Sequence, residues 1–268
     1  MSNQVDLYNS TYGNFKEEVL AEVRRETYGE DIGQNSWITT DEYDTFYSWL
    51  ALSAGDHLLE VASGSGGPAL YLAKKFHCRI TGIDINEEGL KTANQSARDA
   101  NIPDAKFQFA DVDQRLPFDE ETFDAIMCTD SMNHFRDRLQ YLQEWQRVLK
   151  TGRRLLFTDP VVITGPVSSE ELAARSSIGF FLFVPLEATK QYIREAGLNL
   201  LRCEDVTGNI ELTSGRWHTS RQKHRDDLIK IEGEERFDGL QKFLSTVHKL
   251  TSERRLSRFV FLAEKLAK

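Results

Sequence analysis

Residues 60–67 read EVASGSGG, one carboxylate followed by a run with glycine at 64, 66 and 67. Glycine lets the chain turn sharply and lets a ligand come close to the backbone. A helix opening at Pro68, where the missing N–H costs nothing, would present free N–H groups and a positive dipole end to that ligand. The spacing Gly64-x-Gly66-x-x-Ala69 fits the dinucleotide fingerprint, which admits alanine in its last place. A glycine turn that serves geometry alone is the plain alternative. Asp84, in GIDIN, follows the loop by about twenty residues, where a carboxylate can accept both hydroxyls of a ribose. The competing reading is a helix cap from Asp84 or Asn86. Asp111, in ADVDQRLPF, falls at the next strand tip and can accept from an adenine amino group. His134 closes FDAIMCTDSMNHF. A histidine there is a proton acceptor near neutral pH, or else a helix-entry residue that bonds locally ahead of Arg136.

Loop and acid at this spacing point to a nucleoside cofactor. Nicotinamide dinucleotides carry a pyrophosphate, which Glu60 would repel. S-adenosylmethionine carries a sulfonium and an ammonium, which an acidic rim favours. An NAD(P)-dependent oxidoreductase stays as a distant alternative that leaves Glu60 and Asp111 unexplained.

The elements that position these residues follow from the rhythm of the chain. Short apolar strands are expected at His57–Ala62, Arg79–Ile85, Lys106–Val112, Phe123–Asp130 and Arg154–Asp159, alternating with helices at Pro68–Phe76, Glu87–Asn101 and Arg136–Lys150. That alternation predicts a parallel sheet covered on both faces. A helix at Glu187–Gly197 and strands at Leu200–Val206 and Leu256–Lys265 complete it. The first fifty residues read as amphipathic helix, 161–186 as a mixed segment, and Ser214–Ser252 as mostly helical. One domain over 1–268 is expected, with a cofactor-binding core at 57–160 and lid elements at 1–50, 160–186 and 208–252.

Taken together, EVASGSGG, GIDIN, ADVDQRLPF, FDAIMCTDSMNHF and LKTGRRLLFTDP resemble the class I S-adenosylmethionine-dependent methyltransferases over residues 57–160. The resemblance implies a Rossmann-like α/β fold: a seven-stranded, mostly parallel sheet with its last strand antiparallel, helices on both faces and a helical lid. It also implies roles. Glu60, Ala62 and Gly64 would border the amino-acid end of the cofactor, and Gly66 of the same loop would join the cofactor-binding set. Asp84 would take the ribose, Ile85 would pack on adenine, and Asp111 would hold the adenine amino group beside Val112. Thr129 and Asp130 would lie near the methionine part. Ala62-Ser63 departs from the Gly-Cys or Gly-Ser frequent in relatives. CTDSMNHF and YGEDIGQNSW are similar to stretches of the phosphoethanolamine and sarcosine/dimethylglycine methyltransferases. On that similarity Gln34 and Trp37 would join the cofactor rim, with plain core as the alternative for Trp37, His134 would be the general base, and a small-molecule amine is ranked slightly ahead of an oxygen or carbon acceptor.

Tyr8 and Tyr12 are candidates for folding over the site, or for docking on the core as terminal aromatics. In GRWHTSRQKHR, Arg216 and Arg221 are candidates for a cationic wall toward a substrate carboxylate or phosphate, as is Arg175 in AARSS. A solvated helix face is the plainer reading of that run. IGFFLFVP reads equally as an apolar roof, as buried packing or as a subunit contact such as a homodimer would use.

Composition sets the outer bounds. The 268 residues are 40% hydrophobic and 28% charged, with a formal net charge of -9 and a pI near 5.3. An acidic surface of this kind argues against a broad nucleic-acid footprint. A nucleic-acid methyltransferase is further disfavoured because Asp130-Ser131-Met132-Asn133 lacks an Asn/Asp-Pro-Pro-aromatic motif. The longest apolar run, Ile178–Leu186, is too short for a membrane span, and the polar start lacks a signal-peptide layout. Cys78, Cys128 and Cys203 show no metal-binding or disulfide spacing, so a reducing cytoplasmic compartment and no metal are expected.

Overall fold

The computed structural model describes residues 11–15 and 17–267. Tyr8 lies outside them. Seven strands form one sheet: β1 (His57–Val61), β2 (Arg79–Asp84), β3 (Ala105–Phe109), β4 (Phe123–Cys128), β5 (Leu149–Ile163), β6 (Leu198–Asp205) and β7 (Leu256–Lys265). Their order is β3-β2-β1-β4-β5-β7-β6. Neighbours from β3 to β5 run parallel, and β7 is antiparallel to both β5 and β6. The order reverses between β1 and β4, which opens a crevice at the carboxyl ends of those strands.

Burial on both faces explains the near-continuous apolar strands. In β4 every residue is buried. In β1, Leu58, Leu59 and Val61 are buried with one carboxylate, Glu60, among them. One face packs on α2 (Thr40–Trp49), α3 (Gly67–Phe76) and α4 (Glu87–Asp99), through residues such as Phe46, Leu72 and Ala93. The other packs on α5 (Arg138–Val148) and α7 (Leu186–Glu195), through Trp145, Leu142 and Ile193. The side chain of Asn86 accepts from the Gly89 N–H and caps α4.

Above the strand ends sits a helical cap with its own apolar cores. It comprises α1 (Glu18–Tyr28), α6 (Ser169–Arg175), α8 (Thr207–Lys223), α9 (Arg225–Glu232) and α10 (Glu234–Ser252). Trp37, Ile210, Phe243 and Val247 form one core, with Ile178, Phe181 and Trp217 against it. Val23, Leu228 and Phe237 form another.

Several boundaries differ from the expected ones. β3 stops at Phe109, which leaves Asp111 and Val112 in the following loop. β4 stops at Cys128 because Asp130 turns to φ +56°. β5 is far longer than Arg154–Asp159, since its flanks pair with Phe123 on one side and with Leu256 and Ser257 on the other. The cap helices begin at Thr207 rather than Ser214.

Candidate active site

A cleft of about 1020 Å³ lies over the crevice. Glu60, Ala62, Asp84, Ile85, Asp111, Val112, Thr129, Asp130 and His134 all line it, and Tyr12 closes one lip. Local backbone chemistry explains how the loop is held. The Gly64 N–H donates to one oxygen of Asp84 at 2.8 Å, and the Asn86 N–H donates to the other at 2.8 Å. Each oxygen keeps a lone pair for a further donor. Burial raises the Asp84 pKa, and these backbone bonds oppose the rise. Ile85 at the strand tip is 63% exposed, an apolar platform beside the acid.

The glycines divide their work. Gly64 at φ +52° lies under the Tyr12 hydroxyl, with no room for a Cβ. Gly66 at φ +73° does not line the cleft; a Cβ there would meet Ala93 at 2.7 Å and the Phe107 ring at 2.8 Å. Gly67, which the motif reading passed over, lets the Ile32 carbonyl and Gly33 pack directly on the start of α3. Ala62 adopts φ +58°, a conformation that suits glycine better than a residue with a Cβ.

Glu60 is 3% exposed. The Tyr43 hydroxyl donates to its Oε1 at 2.6 Å. Its Oε2 is buried with no hydrogen-bond partner among the described residues, and so is the Ser63 hydroxyl nearby. Burial pushes the Glu60 pKa up to about 7, with the Tyr43 bond opposing and the Asp84 charge adding.

His134 stands where the cleft meets a small chamber under the roof segment 176–185. The chamber is lined by Trp37, Ile178, Phe181, Trp217, Phe243 and Arg175, and it shares Asn35, Ser36, Asp130, His134 and Ile178 with the cleft. The His134 Nδ1–H donates to the Phe180 carbonyl at 2.8 Å, and the ring meets Phe181 edge to face at 4.7 Å. A carbonyl can only accept, so the neutral imidazole carries its lone pair on Nε2. Burial lowers the His134 pKa to about 4; the Phe180 bond opposes this, and the Arg175 charge adds to it. The roof is pinned at two more points. The Leu182 N–H donates to the Asn133 carbonyl at 2.7 Å, and Arg138 Nη2 donates to the Leu182 carbonyl at 2.9 Å.

Besides Gly64 and Gly66, which do not line the cleft, four expected residues take other positions. The Gln34 amide is held within its own loop, accepting from the Ile32 N–H and donating to the Glu30 carbonyl, and it does not line the cleft. Its neighbour Asn35 does, and nothing in the run IGQNSW shows which amide faces inward. Trp37 walls the chamber rather than the cleft. Arg216 lies on an open groove between α8 and α10 on the outer surface. Arg221 is buried, paired with Glu232 and stacked over Phe237 at 5.1 Å.

Asp130 reaches the cleft wall but faces a buried cation. Arg258 of β7 donates to it through Nε at 2.7 Å and Nη2 at 3.2 Å, and to Glu42 through Nη1 at 2.7 Å. The Trp37 N–H donates to Asp130 at 2.9 Å, and Asn209 Nδ2 donates to the Trp37 carbonyl at 2.8 Å. Asp130 therefore fixes the entry segment 35–37 above the crevice. Asp159 is likewise paired with Arg138. No cluster of three or more His, Cys, Asp or Glu suited to a metal occurs among the described residues.

A family model described as a methyltransferase domain matches residues 59–157. The 27-O-demethylrifamycin SV methyltransferase of Amycolatopsis mediterranei is 29% identical over 92% of this chain and 90% of its own length. The sarcosine/dimethylglycine N-methyltransferase of Halorhodospira halochloris is 27% identical over 68% of this chain and 63% of its own. Phosphoethanolamine N-methyltransferase 2 of Haemonchus contortus, solved with S-adenosyl-L-methionine, superposes with a TM-score of 0.81 at 16% identity, covering 99% of this chain and 61% of that one. The chain thus spans less than two thirds of the last two.

Proposed function

Given that the chain is an S-adenosylmethionine-dependent methyltransferase of small molecules, we propose that it methylates a hydroxyl oxygen on a largely apolar acceptor. The observation that carries this reading is the small chamber beside the cleft, with aromatic walls, a neutral histidine and a buried arginine; it shares Asn35, Ser36, Asp130, His134 and Ile178 with the cleft. The unmet polar groups of the cleft fit the cofactor. Glu60 Oε2 and the Ser63 hydroxyl suit its ammonium end, the loop-held Asp84 its ribose, and Ile85, Val112 and Asp111 its adenine. S-adenosylmethionine supplies a methyl carbon already activated by positive sulfur.

The chain's own contribution is to align, exclude water and move one proton. Alignment alone is worth roughly 7–11 kcal/mol. Ile178 and Phe181 of the roof segment and Trp37 give the chamber apolar walls. His134 Nε2 takes the hydroxyl proton as the oxygen–carbon bond forms, and Arg175 stabilises the negative charge building on that oxygen. The charge balances: sulfur loses its positive charge as imidazole gains one. The Arg175 guanidinium lies 4.8 Å from the Phe181 ring and 5.0 Å from that of Phe243. A cation so placed repels an ammonium, which sets an oxygen acceptor ahead of the amine that the sequence resemblance favours. The name of the Amycolatopsis relative supports the same choice.

Incubation with labelled S-adenosylmethionine and matched panels of phenols, aliphatic alcohols and amines tests this. Label is expected in hydroxyl acceptors. Transfer to amines alone would overturn the reading.

A further inference from the structure

Residues 180–185 of the roof belong to no helix or strand, so their backbone lies where its neighbours hold it. Two bonds tie it to the residues around His134. The Phe180 carbonyl accepts from His134 Nδ1–H at 2.8 Å, and the Leu182 N–H donates to the Asn133 carbonyl at 2.7 Å. Asn133 and His134 are adjacent, and Phe180 and Leu182 are two apart, so the bonds form two rungs of one short ladder. Arg138 of α5 grips the outer end of that ladder. We propose that Arg138, locked by Asp159, is a positioning residue for His134: it fixes the roof so that the Phe180 carbonyl selects the tautomer with its lone pair on Nε2. What this does for turnover rests on the reading of His134 as the base.

Three observations carry it. The first is reach. Arg138 is 2% exposed; its Nη2 donates to the Leu182 carbonyl at 2.9 Å, and its Nη1 to the Thr189 hydroxyl at 3.2 Å and to Asp159. One guanidinium fork thus joins β5, α7 and the roof. The second is that the fork is itself held. Asp159 is fully buried; one oxygen accepts from Arg138, and the other from the Val161 N–H at 3.2 Å. The third is energetic. Apolar residues of like volume often stabilise a fold as well as a buried ion pair does, and here the buried Arg138 Nε has no partner among the described residues. An apolar pair would fill the space but could not donate to the Leu182 carbonyl. The gain from the ion pair is therefore geometric, and His134 is where that geometry matters. The bond made by one ring nitrogen sets which nitrogen carries the proton. Neutral imidazole in water favours the opposite tautomer, protonated on Nε2, which has no lone pair there to take a proton. Moving the Phe180 carbonyl by about 1 Å breaks the bond, and a misplacement on that scale costs about 10²-fold in rate.

The test is nitrogen-15 magnetic resonance of the histidine rings in the full chain, with His134→Ala assigning the signal. Wild type is expected to hold His134 as the Nδ1–H tautomer at pH 7.5. The paired change Arg138→Met with Asp159→Leu, which strands no charge, is expected to move it toward Nε2–H. The same variant should keep S-adenosylhomocysteine affinity within about threefold and lose at least about tenfold in kcat with the phenol and alcohol panel above. Should it fail to fold, Arg138→Lys decides, since lysine keeps the charge facing Asp159 but has no fork to span Asp159 and Leu182. A matched control, Arg221→Met with Glu232→Leu, removes a buried ion pair of the cap and is expected to leave the tautomer alone. A wild-type Nε2–H signal, a signal unmoved by the Arg138 variant, or an equal shift in the control overturns the proposal. The tautomer is read without turnover. A shifted tautomer with unchanged kcat therefore keeps the positioning role and retires His134 as the base.

Discussion

Replacing Glu60 with glutamine should move stability and cofactor affinity in opposite directions. Glu60 has an ordinary pKa of 4.5, raised in the fold to about 7 by burial. In that window the folded chain holds a proton that the unfolded chain has released, so stability falls as pH rises. The decline starts near pH 4.5, ends near pH 7 and totals about 3 kcal/mol. Glutamine has no proton to lose. It keeps an oxygen for the Tyr43 hydroxyl and puts an N–H₂ where Oε2 now has no partner. The ligand-free Glu60→Gln protein should therefore be more stable than wild type at pH 8, by about 1–3 kcal/mol, and should lose the decline between pH 4.5 and 7. Affinity should move the other way. If Glu60 pairs with the cofactor's ammonium, the variant loses a charge-assisted bond worth about 1.5–3 kcal/mol, which weakens binding about 10- to 100-fold. The wild type should also bind about eightfold tighter at pH 7.5 than at pH 6, because the ionised fraction of Glu60 grows by that factor. Urea unfolding across pH gives the first quantity, and calorimetric titration with S-adenosylhomocysteine gives the second. A variant that is less stable at pH 8 and binds as tightly as wild type would refute both the titration argument and the assignment of Glu60.

Other expectations follow from the same geometry. His134→Ala should lower kcat about 10²- to 10⁴-fold and leave S-adenosylhomocysteine affinity nearly unchanged; a matching loss of affinity would make His134 a structural residue. Because its pKa is held near 4, the pH profile of kcat should show no acid limb near 6.5, and one found there that vanishes in His134→Ala would refute its burial. Ala62→Gly should relieve the left-handed strain at φ +58° and raise stability by about 0.5–1 kcal/mol, read from the unfolding midpoint. Arg258→Met strands the Asp130 and Glu42 carboxylates and should cost about 3–5 kcal/mol, and a shift below 1 kcal/mol in urea unfolding would show that the network matters little. The closed roof predicts that product release limits turnover, so rapid mixing should show a burst, and equal burst and steady-state rates would refute it.

The sequence by itself determined whatever depends on local geometry. A glycine loop between a buried strand and a helix has few ways to fold, and an acid at the next strand tip must face it. Asp84 and Asp111, singled out by their spacing, line the cleft, and so do Ile85 and Val112, which the family resemblance added. The alternation of strands and helices was enough for a parallel sheet covered on both faces; the seven strands with an antiparallel last one came from the resemblance to the class I methyltransferases, and the observed pairing agrees with it. Tertiary structure decided what rests on partners far along the chain. Asp130 lines the cleft, and its oxygens also accept from Arg258, 128 residues later, a pairing that no local motif shows. Asn35 faces inward instead of Gln34 because of two bonds inside one short loop. Arg175, Arg216 and Arg221 carry the same charge, yet one lies in the chamber, one on an outer groove and one buried against Glu232. Helix packing angles and burial separate them, and neither can be read from the composition of a basic run.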